Sequence, residues 1–231
     1  MSDLADALRE LPRLLFGGDA SVREIALRTL LVSGVATGLA TCAGIPLGYA
    51  LARCRFAGRS FLLTLVNTFM GMPPVLVGLV VWLLLVRSGP LGGWELIYTK
   101  QAMVLAQFAI ALPLVIGFTA ASIQALPPQL PDLLTMLGAG RLRMLWLLGR
   151  EAKLGILVAI LAGFGAIISE VGASMAVGGN LQSSTRVLTT AIVTETGRGE
   201  TGRALALGFI LLGMAFAVNL ALTIVQQRRK Q

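Results

Sequence analysis

The chain has 231 residues, of which 56% are hydrophobic and 13% charged, and its mean hydropathy is +0.83. A soluble domain carries about 25% charged residues, so the composition excludes an ordinary water-soluble fold and predicts a single membrane domain. The net charge of +8 would suggest nucleic acid in a soluble protein. Here the basic residues fall largely between apolar blocks, so membrane orientation and anionic lipid headgroups account for it and no nucleic-acid partner is expected. The sequence contains no histidine, which removes imidazole metal ligation and Ser-His chemistry; no catalytic residue, metal or cofactor is expected.

Residues 1–24 place Leu4, Leu8, Leu11, Leu14 and Leu15 against Asp3, Asp6, Arg9, Glu10 and Arg13. That amphipathic pattern is too polar to span a membrane and suits one lying along its surface. It lacks the long apolar core and small-residue cleavage site of a signal peptide, so it is expected to stay in the mature protein. Five apolar blocks follow, at 25–52, 60–86, 100–124, 154–178 and 204–227. Each approaches or exceeds the ~20 residues needed to cross a ~30 Å hydrocarbon core. The expected class is therefore an all-α polytopic membrane protein of about five spans, with a transmembrane domain over 25–227 and a basic tail at 228–231.

Within the first block, small residues recur at spacing four, at Gly34 and Gly38 and again at Ala40, Gly44 and Gly48, a pattern that lets helix backbones approach closely in lipid. Cys42 and Cys54 form no CxxC pair and read as ordinary residues. The second block holds Gly71-Met72-Pro73-Pro74, where two prolines remove backbone donors and force a break or kink. A break at membrane depth needs protein or a wet cavity to satisfy its carbonyls, which nominates Met70, Met72, Pro73, Pro74, Val75 and, from the fourth block, Gly172 as pathway lining. The alternative is a kinked helix that only packs.

The connection 125–153 is long for a linker. Pro131 suits a helix start, Asp132 lies in its first turn, Gly138 falls near its end, and Leu133, Leu134, Leu137, Leu142, Leu145 and Leu148 supply an apolar face. This predicts a short amphipathic helix, either gripped by a partner or lying on the membrane. Glu170 is the acidic side chain set well inside a block, a costly position that marks functional candidates. It either lines the pathway or, neutral or paired with Arg186, holds helices together. Gly197 to Ala204 approaches a phosphate loop, but Arg203 and Ala204 stand where that loop needs lysine and a hydroxyl, and no strand precedes it. Arg53, Arg55 and Arg59 in one short connection place that face, with 125–153 and the C-terminus, in the cytoplasm, and the N-terminus outside.

Asp132-Leu133-Leu134, two residues before Leu137-Gly138-Ala139, resembles the Glu-Ala-Ala cytoplasmic loop of binding-protein-dependent ABC importer permeases; the carboxylate is kept as Asp and leucines replace both alanines. Asn67 to Leu79, with Gly71-Met72-Pro73-Pro74 inside it, then Ser88-Gly89-Pro90-Leu91-Gly92, Ser169 to Ala173, Val177 to Asn180 and Thr185 to Ile192 extend the likeness. They make it most similar to the tungstate permeases, with molybdate and sulfate permeases behind. The resemblance covers roughly residues 22–225. It implies the type I importer permease fold in the bacterial inner membrane, a second permease copy, a cytoplasmic ATPase dimer, and an extracytoplasmic binding protein for tungstate or molybdate. It also implies ATPase coupling through Asp132, Leu133, Leu134, Leu137, Gly138, Ala139, Arg141 and Arg143. A secondary transporter is the rival reading, since broken helices and a buried carboxylate also suit ion coupling; five spans without an internal repeat speak against it. A membrane-embedded enzyme is disfavoured by the lack of a GxSxG elbow or paired carboxylates.

Overall fold

The computed structural model describes Ala7, residues 10–12, Leu14 and residues 20–228, so most of the amphipathic segment 1–24 and the end of the basic tail lie outside the described residues. Every regular element among the described residues is a helix. The first long one, α1, runs Ala20–Arg53. It ends where Arg59 folds back, its Nε donating to Leu51 O at 2.7 Å and its Nη2 to Ala52 O at 3.5 Å. A guanidinium there satisfies carbonyls that have no partner of their own and complements the negative end of the helix.

The second apolar block is two helices rather than one kinked span. Helix α2 is Arg59–Met70 and α3 is Pro74–Leu85, and they meet at 104°. Gly71 N and Met72 N donate to Thr68 O (3.1 Å) and Phe69 O (3.2 Å), closing α2 on itself. Pro74 then opens α3, where its missing donor is not needed. Each helix has 12 residues, about 18 Å, so neither alone crosses the ~30 Å core.

A 3-10 turn at Gly92–Trp94 leads to α4, Lys100–Gln124, whose first turn is capped by Thr99 Oγ1 accepting the Ala102 N–H at 3.3 Å. Helix α4 is the axis of the fold. A Cβ added at Gly44 would lie 2.7 Å from Val115 Cγ1, and one at Gly48 2.7 Å from Ile116 O, so these glycines of α1 let α4 come close. Gly34 and Gly38, by contrast, meet nothing within 4 Å. Cys42 and Cys54 are free and exposed.

Next come α5 (Leu130–Met136), α6 (Arg141–Glu151) and α7 (Lys153–Ile168), with an 80° bend from α6 to α7. The candidate fourth span at 154–178 is divided between two helices. Helix α7 has 16 residues, about 24 Å, and the chain breaks before α8, Gly172–Gly178. At the break the Glu170 carboxylate takes the Ala173 N–H at 2.9 Å, a side-chain acceptor competing with the helical ladder. Helices α9 (Leu188–Gly197) and α10 (Thr201–Arg228) complete the chain. Their connection, with Gly199 at φ +81°, is the segment that approaches a phosphate loop in sequence; it joins helix to helix, so the strand-to-helix setting such a loop requires is missing.

Met103, Ala106, Ile110, Val115, Ile167 and Val177 are among the buried residues that gather α1, α3, α7 and α8 around α4. A second cluster of Val22, Ile25, Leu188, Ala191, Leu207 and Ile210 ties the start of α1 to α9 and α10. Among the described residues, three helices are long and apolar enough to cross a membrane, and the two bent pairs bring the total to as many as five. The exposed Leu27, Leu31, Leu83, Leu212 and Phe216 suit a chain whose outer surface meets lipid.

Candidate functional site

The connection between α4 and α7 folds as a helical hairpin. Pro131 is buried in the first turn of α5, and Thr135 Oγ1 donates to Pro131 O at 2.8 Å. The turn after α5 closes when Gly138 N donates to Thr135 O (2.9 Å) and Ala139 N to Leu134 O (3.0 Å). This paired 6→1 and 5→2 arrangement places Gly138 in the left-handed region at φ +78°, where a side chain is disfavoured. Helix α6 is anchored by Leu148, which is fully buried, and Arg150 lies over the Trp146 ring, 5.5 Å from its centroid.

What the hairpin presents outward is apolar. Leu133 is exposed, and Met136, Leu137 and Leu142 are 84%, 82% and 86% exposed. Leu134 and Ala139 are half-buried, so of the sequence-predicted leucines Leu133, Leu137 and Leu142 face outward and Leu134 does not. Met136 and Trp146, both exposed, were missed because attention to leucine spacing passes over them. Asp132 lines a cavity of about 440 Å³ with Arg53, Arg55, Pro127 and Pro128. Arg143 is exposed, and the Arg141 side chain lies outside the described residues.

The break at Pro73 divides the predicted pathway residues. Val75, Glu170 and Gly172 come together: a Cβ on Gly172 would collide with Val75 Cγ2 and lie 3.4 Å from Glu170 Oε1. Met72 packs on the main core, whereas Met70 turns to α4, its Sδ filling the space a side chain on Gly117 would need. Pro73 is exposed and Pro74 half-buried. Glu170 also accepts Thr189 Oγ1–H on its carbonyl at 3.0 Å, joining the α7–α8 break to α9. Glu170 and Arg186, one of the two arrangements the sequence left open, are not paired here. The Arg186 Nε donates instead to Asn180 Oδ1 at 3.1 Å, and the Glu170 carboxylate is used on the Ala173 amide.

The family described as binding-protein-dependent transport system inner membrane component matches residues 44–231. The chain belongs to that family. The permease is 41% identical to a "Probable anion ABC transporter permease protein" of Haloferax volcanii, over 85% of this chain and 87% of the relative. It is 36% identical to a tungstate uptake system permease protein of Peptoclostridium acidaminophilum, over 98% of this chain and 100% of the relative. A molybdenum transport system permease protein of Escherichia coli is more distant, at 27% identity over 78% of this chain and 83% of the relative. The rival readings of a secondary transporter and a membrane-embedded enzyme give way to this membership.

Proposed function

We propose that this permease carries a tungstate-class oxyanion inward as one of two copies in the bacterial inner membrane. An extracytoplasmic binding protein delivers the anion and a separate cytoplasmic ATPase dimer drives the cycle. In this reading the α5–α6 hairpin faces the cytoplasm and is the part the ATPase grips, with Leu133, Leu137 and Gly138 at the contact and Asp132, Arg141 and Arg143 steering. The observation that carries it is the outward row of Met136, Leu137 and Leu142 on a hairpin closed by Gly138; apolar side chains so exposed, beside the exposed Arg143, suit a cleft in another protein. The near full-length similarity to a tungstate permease supports the cargo. Val75, Glu170 and Gly172 then lie where the α3 and α8 ends border the pathway, with Glu170 fixing helices through amide and hydroxyl bonds.

The test is uptake of radiolabelled tungstate by proteoliposomes holding the permease, its ATPase and its binding protein. Uptake requires ATP, and Leu137→Asp abolishes both uptake and ATPase co-purification without lowering the permease's melting temperature, because the side chain touches little in the folded chain. Flux that proceeds without the ATPase and collapses with an uncoupler would refute the proposal.

A further inference from the structure

A cavity of about 160 Å³ lies between the first turns of α1, the α8–α9 connection and the turn from α9 to α10. This is ample beside the ~15 Å³ one water needs. Among the described residues, Arg186, Arg198 and Arg203 line it together with the carboxylate of Glu195. Guanidinium groups keep their charge at all accessible pH, so like charges are drawn to one small space, an arrangement that favours an anion between them.

The wall is built rather than incidental. Arg28, only 4% exposed, donates Nη1 to Arg186 O at 2.9 Å and to Gln182 O at 3.4 Å, and Nη2 to Ser183 O at 3.2 Å and to the Glu24 carboxylate. Thr185 Oγ1 accepts the Leu181 N–H at 2.9 Å and donates to Gly178 O. Asn180 holds Arg186 through Oδ1 and itself donates from Nδ2 to Thr194 Oγ1 at 2.8 Å. The Arg186 guanidinium is therefore oriented before any ligand arrives, which lowers the cost of binding. On the opposite wall Glu195, 7% exposed, holds Arg198 at 3.2 Å.

We propose that this cavity is a receiving subsite for a tetrahedral oxyanion dianion at the outer mouth of the permease, with Arg186 and Arg198 as its donors and Glu195 as the counter-charge that keeps it weak. It rests on the import reading and on the placement of the α1 start outside. A site that captures a passing ion must also release it, and the buried carboxylate of Glu195, already bonded to Arg198, does that.

Full-length permease in phosphatidylcholine nanodiscs, dialysed against radiolabelled tungstate, tests it. One dianion binds per chain; Arg198→Gln weakens binding about tenfold, the loss of one charge-assisted hydrogen bond, and Glu195→Gln tightens it. The opposite signs matter, because removing either partner of a merely structural ion pair loosens the same fold. Arg198 is exposed at the rim, and an unchanged melting temperature in its variant shows that the fold is intact. No saturable binding, or both variants shifting affinity the same way or not at all, overturns the proposal. So does loss of tungstate binding in phosphatidylglycerol discs, which would make a lipid phosphate the occupant. If the complete importer takes up tungstate with both variants at wild-type rate and affinity, the subsite falls while the import reading stands. If the importer moves no oxyanion yet the discs bind tungstate with the opposite-sign pattern, an anion site stands at this cavity, and the import reading falls together with the receiving role.

Discussion

At Gly138 two amides close the end of α5, and the backbone reaches φ +78° to let them do so. Nothing lies within 4 Å of a Cβ built there, so a substitution meets backbone strain alone. Gly138→Ala should cost about 1–2 kcal/mol, seen as faster amide exchange at residues 137–139 with the rest of the chain unchanged. Gly172 is the reverse case, with a Cβ blocked by the stiff β-branched Val75. Gly172→Ala should lower stability by about 1–3 kcal/mol, the usual range for overpacking, and Val75→Ala in the same chain should recover most of it; a thermal-unfolding cycle in detergent reads the coupling. Arg28 lies among the mixed charges near the N-terminus when seen as sequence, with no sign that its guanidinium serves three carbonyls some 155 positions away. Arg28→Ala should destabilise by about 3 kcal/mol, because carbonyls that lose their donor at a buried site each cost ~1–3 kcal/mol.

Among elements, the seam between α1 and α4 shows what periodicity carries and what it leaves open. Small residues at spacing four marked a close approach, and Gly44 and Gly48 make it, yet at Gly34 and Gly38 the same pattern meets nothing within 4 Å of an added Cβ among the described residues. Spacing reports a face of a helix, not what stands opposite. Gly48→Ala should therefore lower the melting temperature, since the atom it meets first is the Ile116 carbonyl, which cannot turn aside, while Gly38→Ala should not. The two breaks divide in the same way. Pro73 and Pro74 announced the first, because a missing donor is written in the residue type; the 104° bend follows from how α3 then packs Gly78 against Ala173. The second was hidden, because hydropathy summed over 154–178 stays high across Ser169 and Glu170, and the bond that diverts the backbone depends on one carboxylate's direction. The short helix α5 was legible through Pro131, Asp132 and Gly138, all with local roles. The arginine cavity was not, since its walls come from three distant stretches of chain.

For the whole molecule, orientation decides which of these surfaces meets which partner. Arg53, Arg55 and Arg59 fall within seven positions; Arg59 seals α1, and Arg53 and Arg55 share a cavity with Asp132 of the hairpin. If short basic connections are retained on the cytoplasmic side, that entire end lies inside, and the Gly92–Trp94 turn and the arginine cavity then face out, with α1 and α4 each carrying the chain across. With Cys42 and Cys54, both exposed, replaced by serine, single cysteines report the arrangement. Gly93→Cys enters open space, since nothing lies within 4 Å of its Cβ, and Leu137→Cys sits at an exposed position. A membrane-impermeant maleimide added to intact cells should label the Gly93 variant at once and the Leu137 variant only after permeabilisation. The opposite pattern would put the apolar hairpin outside, beyond the reach of any cytoplasmic ATPase, and the arginine cavity inside, where it could release an anion but not receive one.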